Sequence, residues 1–156
     1  MGIVLRRERL DGVHPRLIAV ADRAAALLPF DILITDGVRS RKRQEELYGH
    51  GRTPDELRAV GLSGALAQPR ERKVTWTLTS KHFVNLKTGY GHALDCYKAP
   101  FSQKQTPAVS RQIARAFLQA ANELDTPVRW GADWDRDGVF YEKGESDSPH
   151  FELWGL

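Results

Sequence analysis

The period of the apolar positions changes several times along the chain, and each change predicts an element. From Pro15 to Leu28, the residues Leu17, Ile18, Ala21, Ala24, Ala25 and Leu28 recur at intervals of three and four, the mark of a helix with one buried stripe. Pro15 stands where a first helical turn tolerates a missing N–H. Phe30–Thr35 (FDILIT) is short, β-branched and closed by Asp36-Gly37, which predicts a strand ending in a turn. Ser40 is placed to cap a second helix through Tyr48, with Gly49 and Gly51 ending it. Thr53-Pro54-Asp55-Glu56 combines an N-cap, a first-turn proline and a Glu able to reach back, so a short helix should run to about Val60.

Residues Gly61–Arg72 show no period and predict a surface loop. Val74–Leu78 (VTWTL) alternates as a strand does, and His92–Tyr97 (HALDCY) reads as another. Thr106-Pro107 opens the longest helix, in which Val109, Ile113, Phe117, Ala120, Ala121 and Leu124 form one stripe that must be buried. The chain then turns to β, with Val128–Trp130, Val139–Glu142 and His150–Trp154 as strands between Gly- and Asp-rich turns. No repeat, low-complexity tract or linker interrupts the series. The order predicts one α+β domain over residues 1–156: a small antiparallel sheet with helices packed on one side.

Composition narrows the chemistry. Hydrophobic residues make up 41% and charged residues 28%, which suits a folded globular chain and excludes a disordered one. A net charge of +3 gives only mild attraction to anions. Nucleic-acid binding would rest on the basic run Arg39, Arg41, Lys42 and Arg43, which reads better as a solvated helix start, so no nucleic-acid partner is expected. The single cysteine, Cys96, excludes an internal disulfide and every CxxC zinc ribbon, so any metal must be held by His and carboxylate. Arg6, Arg7, Glu8 and Arg9 break the apolar core a signal peptide needs, and no apolar run approaches the ~18 residues of a membrane span. The expectation is a chain made in a cytoplasm, with no membrane insertion, acting as a monomer.

Five histidines are present: His14, His50, His82, His92 and His150. HExxH and HxH are absent, so spacing must do the sorting. Three fragments stand out: Ser80-Lys81-His82, Gly91-His92-Ala93-Leu94-Asp95, and Asp147-Ser148-Pro149-His150-Phe151-Glu152-Leu153. Two imidazoles and one carboxylate suit zinc and leave a fourth position for water, the composition of a catalytic site.

On these residues the chain resembles the zinc peptidases of bacterial cell-wall peptides: D-alanyl-D-alanine carboxypeptidases, D,D-dipeptidases and phage L-alanyl-D-glutamate endopeptidase endolysins. Their shared pattern is S-x-H-x-x-G-x-A-x-D, followed near the C-terminus by an acidic residue, two spacers and a His. Ser80, His82, Gly91, Ala93 and Asp95 match the first part, and Asp147 with His150 the second. Asp11–Pro15 (DGVHP), Asp36–Ser40 (DGVRS) and Trp130–Trp134 (WGADW) look most like the phage endolysin branch.

The resemblance implies a hedgehog/D,D-peptidase-like fold with zinc at the sheet, held by His82, Asp95 and His150. It implies Asp147 as general base and Arg39 as the cation that binds substrate and steadies the oxyanion, with Ser80 orienting backbone. The implied substrate is bacterial peptidoglycan, cut between L-Ala and D-Glu by an endolysin made in the host cytoplasm and released to the wall. D,D-carboxypeptidase action and a non-catalytic, metal-stabilised binding or phage structural module are the alternatives.

One spacing departs from the pattern. The family sets its first His seven residues before the Asp, whereas His82 and Asp95 are thirteen apart, so Phe83–Tyr90 must contain an insertion. Replacement of His82 by His92 is the alternative. Residues three apart on a strand point to opposite faces, which favours His82 and leaves His92 as a polar residue on the outer face. Cys96, next to Asp95, should be a small buried hydrophobe on the other face. Asp133-Trp134-Asp135-Arg136-Asp137-Gly138 has the DxDxDG spacing of a calcium loop, but Gly144 stands at position twelve, with Glu142 and Glu145 nearby. Calcium on Asp133, Asp135 and Asp137, or a plain acidic turn, are both compatible with that spacing. The four tryptophans, Trp76, Trp130, Trp134 and Trp154, are expected in the core or along a substrate groove.

Overall fold

A computed structural model describes every residue except 103, 143 and 156. The elements run β1 (Val4–Leu5), α1 (Pro15–Leu27), β2 (Ile32–Asp36), α2 (Arg41–Tyr48), α3 (Pro54–Ala59), β3 (Ala93–Lys98), α4 (Pro107–Glu123), β4 (Val128–Gly131) and β5 (Asp147–Leu153). The helix starts follow local chemistry. Ser40 Oγ accepts from the Arg43 amide, Thr106 Oγ1 from Val109, and Thr53 with Glu56 completes a reciprocal capping box.

The strands form one sheet in the order β1-β2-β3-β5-β4. All pairings are antiparallel except β1 with β2, which is parallel. The two residues of β1 are not legible as a strand in the sequence, because a segment that short carries no alternation to read.

Alternation divides the sheet into two faces of different chemistry. Ile32 and Ile34, Leu94 and Cys96, Phe151 and Leu153, and Val128 and Trp130 point to one side, into a single core shared with Leu17, Val20, Ala24, Ile113, Phe117 and Ala120 of α1 and α4. Phe117 stacks on Phe151 with ring centroids 4.0 Å apart, so the longest helix is locked to the strand that carries His150. Helices on this face leave the other one to the intervening residues of β3 and β5, which include Asp95, His150 and Glu152.

Two expected strands are not strands. Val74–Leu78 lies along α2 without a ladder: Gln44 Nε2 donates to Thr77 O at 2.7 Å and to Thr75 Oγ1 at 3.0 Å, and Thr77 Oγ1 accepts from the Thr79 amide. Its alternating Val74 and Trp76 face solvent. Val139–Glu142 turns instead of extending, because Gly138 and Tyr141 both take positive φ and the Tyr141 amide donates to Ala132 O. His92 also differs from expectation. It is 1% exposed, its Nε2 meets Thr88 Oγ1 at 2.8 Å, and its ring packs 5.5 Å from His14, so it is an enclosed side chain and not an outward polar one.

Among the described residues no helix is long and apolar enough to cross a membrane.

Candidate metal centre and active site

The site begins with strand register. Asp95 on β3 lies directly opposite His150 on β5, and Glu152, two residues on, shares their face. Asp95 Oδ1 stands 3.1 Å from His150 Nδ1 and 3.5 Å from His82 Nε2. His82 reaches this point from outside the sheet, its ring 5.0 Å from that of His150. One ligand atom from each of the three lies within 4.8 Å of the others, and both imidazoles are buried, so the trio could hold a metal ion.

Each imidazole is oriented from behind. His82 Nδ1 meets the Gly37 carbonyl at 2.7 Å, which makes Nδ1 the protonated nitrogen and turns the Nε2 lone pair toward Asp95. His150 is turned the other way: its Nε2–H donates to Glu152 Oε1 at 2.8 Å, so Nδ1 faces Asp95. Glu152 is itself buried and held by Arg129, whose Nε donates at 3.2 Å. Sequence reasoning missed Glu152; its position two residues after His150 on a strand was the available signal. Gly37 has a steric reason as well, since a Cβ there would lie 1.9 Å from the Arg9 carbonyl oxygen.

His92 does not join the group. The wide spacing from His82 to Asp95 is absorbed by Phe83–Tyr90, which folds on itself. Asn85 N donates to Tyr90 O, Gly89 N donates to Asn85 O, and His92 N donates to Lys81 O at 2.9 Å to close the loop. Ser80 Oγ accepts from the His82 amide at 3.1 Å, so it orients backbone beside the trio.

Asp147 stands at the mouth. Its Oδ2 is 3.9 Å from His150 Nδ1 and its side chain is half exposed. The bulge at the end of β4 that admits it needs Gly131, because a Cβ there would lie 2.1 Å from the Asp147 carbonyl oxygen. Arg39 enters from the β2–α2 connection, its guanidinium donating to Gln44 Oε1 at 2.8 Å and pairing with Asp36. Its Nε is buried without a partner among the described residues. Arg39, His82, Asp95, Trp134, Asp147 and His150 all line one cavity of about 300 Å³.

The electrostatics follow from this crowding. Burial alone would raise Asp95, but hydrogen bonds and charge from His150 and His82 hold its carboxyl well below the usual range. Burial alone would lower His150; hydrogen bonds to Asp95 and Glu152 carry it up to about 10. Partial desolvation and the negative Asp95 raise the Asp147 carboxyl. Cys96 is the contrary case, a thiol enclosed in the core on the opposite face and pushed up by burial.

The acidic loop arranges itself differently from its sequence spacing. Asp133 and Asp135 converge with Glu145, whereas Asp137 groups with Asp135 and Glu142 at the surface. Asp133 Oδ2 accepts from the Gly138 amide and Glu145 Oε2 from the Asp135 amide, while Asp133 Oδ1 and Glu145 Oε1 are buried with no partner among the described residues. The tryptophans divide: Trp130 is in the core, Trp134 lies 5.4 Å from the His150 ring, and Trp76 and Trp154 are exposed.

Comparison with known proteins agrees with this geometry. The chain is 28% identical over 153 residues to the L-alanyl-D-glutamate peptidase of Escherichia phage T5, covering 94% of this chain and 92% of that protein. Its structure is similar to that of ChiX, the L-Ala D-Glu endopeptidase of Serratia marcescens, with a TM-score of 0.65 at 28% identity over 99% of this chain and 90% of that one. The family described as phage L-alanyl-D-glutamate peptidase matches residues 72–154, which span more than half of the chain and carry His82, Asp95, Asp147 and His150. The chain therefore belongs to the phage L-alanyl-D-glutamate peptidase family.

Proposed function

We propose that the protein is a zinc-dependent endopeptidase that hydrolyses the amide between L-Ala and D-Glu in the stem peptides of bacterial peptidoglycan. The observation that carries this reading is the convergence of His82 Nε2, Asp95 Oδ1 and His150 Nδ1 in a cavity that Asp147 and Arg39 also line. The donor set fits zinc: two imidazole lone pairs, each fixed by a hydrogen bond to the ring's other nitrogen, and one carboxylate. Zinc bound there would supply a Lewis acid for the scissile carbonyl and make water acidic enough to attack near neutral pH.

The protein's own groups would do the rest. Asp147, its carboxyl raised by burial and by the negative Asp95 yet open to solvent on one side, takes a proton from the attacking water and returns one to the leaving amine of D-Glu. Arg39, clamped by Gln44 and Asp36, aims a permanent charge at the cavity and stabilises the developing oxyanion. The same reading has the protein made in a host cytoplasm and reaching the wall after release.

Digestion of purified peptidoglycan with zinc-loaded protein, followed by mass spectrometry, should yield fragments with new D-Glu amino termini. Chelation should abolish them. New termini at D-Ala would instead support the carboxypeptidase reading, and unchanged muropeptides would leave only a non-catalytic module.

A second cation is supported by two oxygens, of Asp133 and Glu145, that have no hydrogen-bond partner among the described residues and that with Asp135 form an acidic pocket suited to a hard divalent ion such as Ca²⁺. Calorimetric titration should show calcium binding that Asp133→Asn removes. Unaltered binding in that variant would dismiss this pocket.

A further inference from the structure

Beside the catalytic cavity lies a larger one, of about 840 Å³, between the start of α2 and the Phe83–Tyr90 loop. Arg39 lines both, and its amide donates to the His82 carbonyl at 2.8 Å, so the two spaces meet at the wall that carries a candidate ligand. The second cavity is built in part by the segment that lengthens the spacing from His82 to Asp95.

Its chemistry is two-sided. Val38, Phe83, Val84 and Leu86 form a hydrocarbon wall, and Leu86 is 99% exposed. One exposed leucine means little, but three apolar side chains side by side at the edge of a cleft mark a binding surface. The rest of the lining is mainly cationic, with Arg39, Arg41 and Arg43 beside Asp36. Arg39 is occupied by Asp36 and Gln44, and Arg43 by Glu46. Arg41 sits with its guanidinium 5.4 Å from the Phe83 ring centroid, and among the described residues no carboxylate lies within ion-pairing distance of it. The lining therefore keeps one positive charge that has only an aromatic face and no carboxylate beside it among the described residues, next to an apolar strip.

We propose that this cleft is a substrate subsite for the carboxylate-bearing peptide on the leaving side of the scissile bond, with Arg41 as its cation and Phe83, Val84 and Leu86 as its apolar wall. This subsite presupposes the peptidase function proposed for the neighbouring cavity. On the acyl side the substrate presents neutral L-Ala. On the leaving side it presents a glutamate carboxylate and, beyond it, residues with aliphatic chains and further carboxylates. Only the leaving side matches a cleft that combines an unpaired guanidinium with hydrocarbon. The loop that forms the wall is braced from within, since Asn85 Oδ1 accepts from the Lys87 and Thr88 amides and Thr88 is fastened to the enclosed His92.

Binding, which does not depend on turnover, is the quantity to measure. Zinc-loaded protein carrying Asp147→Asn is titrated by calorimetry at low ionic strength with an N-acetylated stem tetrapeptide beginning L-Ala-D-Glu, and with the same peptide amidated at the carboxylates beyond glutamate. Amidation should weaken binding about fivefold, the scale of a solvent-facing ion pair. Adding Arg41→Gln should weaken the free peptide about fivefold and remove the effect of amidation, because the pair shares one interaction. Leu86→Ser should weaken both peptides alike, by about threefold, since it removes only apolar contact. Arg115→Gln, a remote exposed arginine on α4, should bind as the parent and so excludes a net-charge effect. Peptide that binds the parent with amidation and Arg41→Gln acting independently overturns the subsite, as does peptide that fails to bind. Peptide bound with this pattern, together with unchanged wall after digestion by the protein with Asp147 intact, would keep the cleft as a carboxylate-binding peptide site and refute the peptidase reading.

Discussion

Glu152→Gln tests how the centre is held together. The carboxylate is buried, takes the Nε2–H of His150 at 2.8 Å and is otherwise engaged by Arg129. Glutamine preserves the shape and still offers an oxygen to Nε2, so fold and packing should survive. What is lost is the charge that makes the imidazole a stronger donor to a metal. Outer carboxylates of this kind are worth about 10–100-fold in metal affinity, or about 1.4–2.7 kcal/mol. Competition with a chromophoric chelator should therefore show zinc affinity reduced by one to two orders of magnitude, with an unchanged circular dichroism spectrum. In the metal-free variant the His150 titration, followed by NMR, should fall from about 10, because one of its two carboxylate partners is gone. Zinc affinity within twofold of the parent, with His150 titrating as before, would refute the claim that Glu152 tunes this ligand.

Asp147→Asn should retain stoichiometric zinc by elemental analysis while the rate of peptidoglycan cleavage falls at least about 100-fold, as expected for loss of a general base. His150 titrates above its unfolded value of 6.5, so its charge stabilises the metal-free fold fully below that pH and the contribution is lost as pH rises through about 10. Melting temperatures of chelated protein should accordingly decline from pH 6.5 to 10. Because that proton occupies the imidazole at neutral pH, zinc uptake should release it, which calorimetry in buffers of different ionisation enthalpy would register. Phe117→Ala removes the ring stacked on Phe151 in a fully enclosed position and should cost about 3–5 kcal/mol in urea unfolding.

Local chemistry was enough for the helices, because caps, prolines and a one-sided apolar stripe act within a turn or two of chain. Pro15, Ser40, Thr53 and Thr106 mark helix starts in the sequence and in the structure alike. The two residues of β1 were too few to show alternation or clustering, whereas β2, β3, β4 and β5 were legible because their apolar residues alternate or cluster between turn signals. Val74–Leu78 and Val139–Glu142 were not, since alternation says only that a segment could be a strand, and a strand exists only where a neighbour offers its hydrogen bonds. The side chain of Gln44 and the turn at Gly138 and Tyr141 took those bonds first.

The candidate site divides along a similar line. His82, Asp95 and His150 could be named from residue type and spacing, because such chemistry restricts which side chains can serve, whereas Asp147 and Arg39 were named only through the resemblance to the cell-wall peptidases. Which nitrogen of each imidazole faces inward, the part of Glu152, the exchange of Asp137 for Glu145 beside Asp133, and the cleft under Phe83–Tyr90 came only with the folded chain. Each depends on distances between residues far apart in sequence, set by β-register and by loops closing on themselves, and no local pattern carries that information.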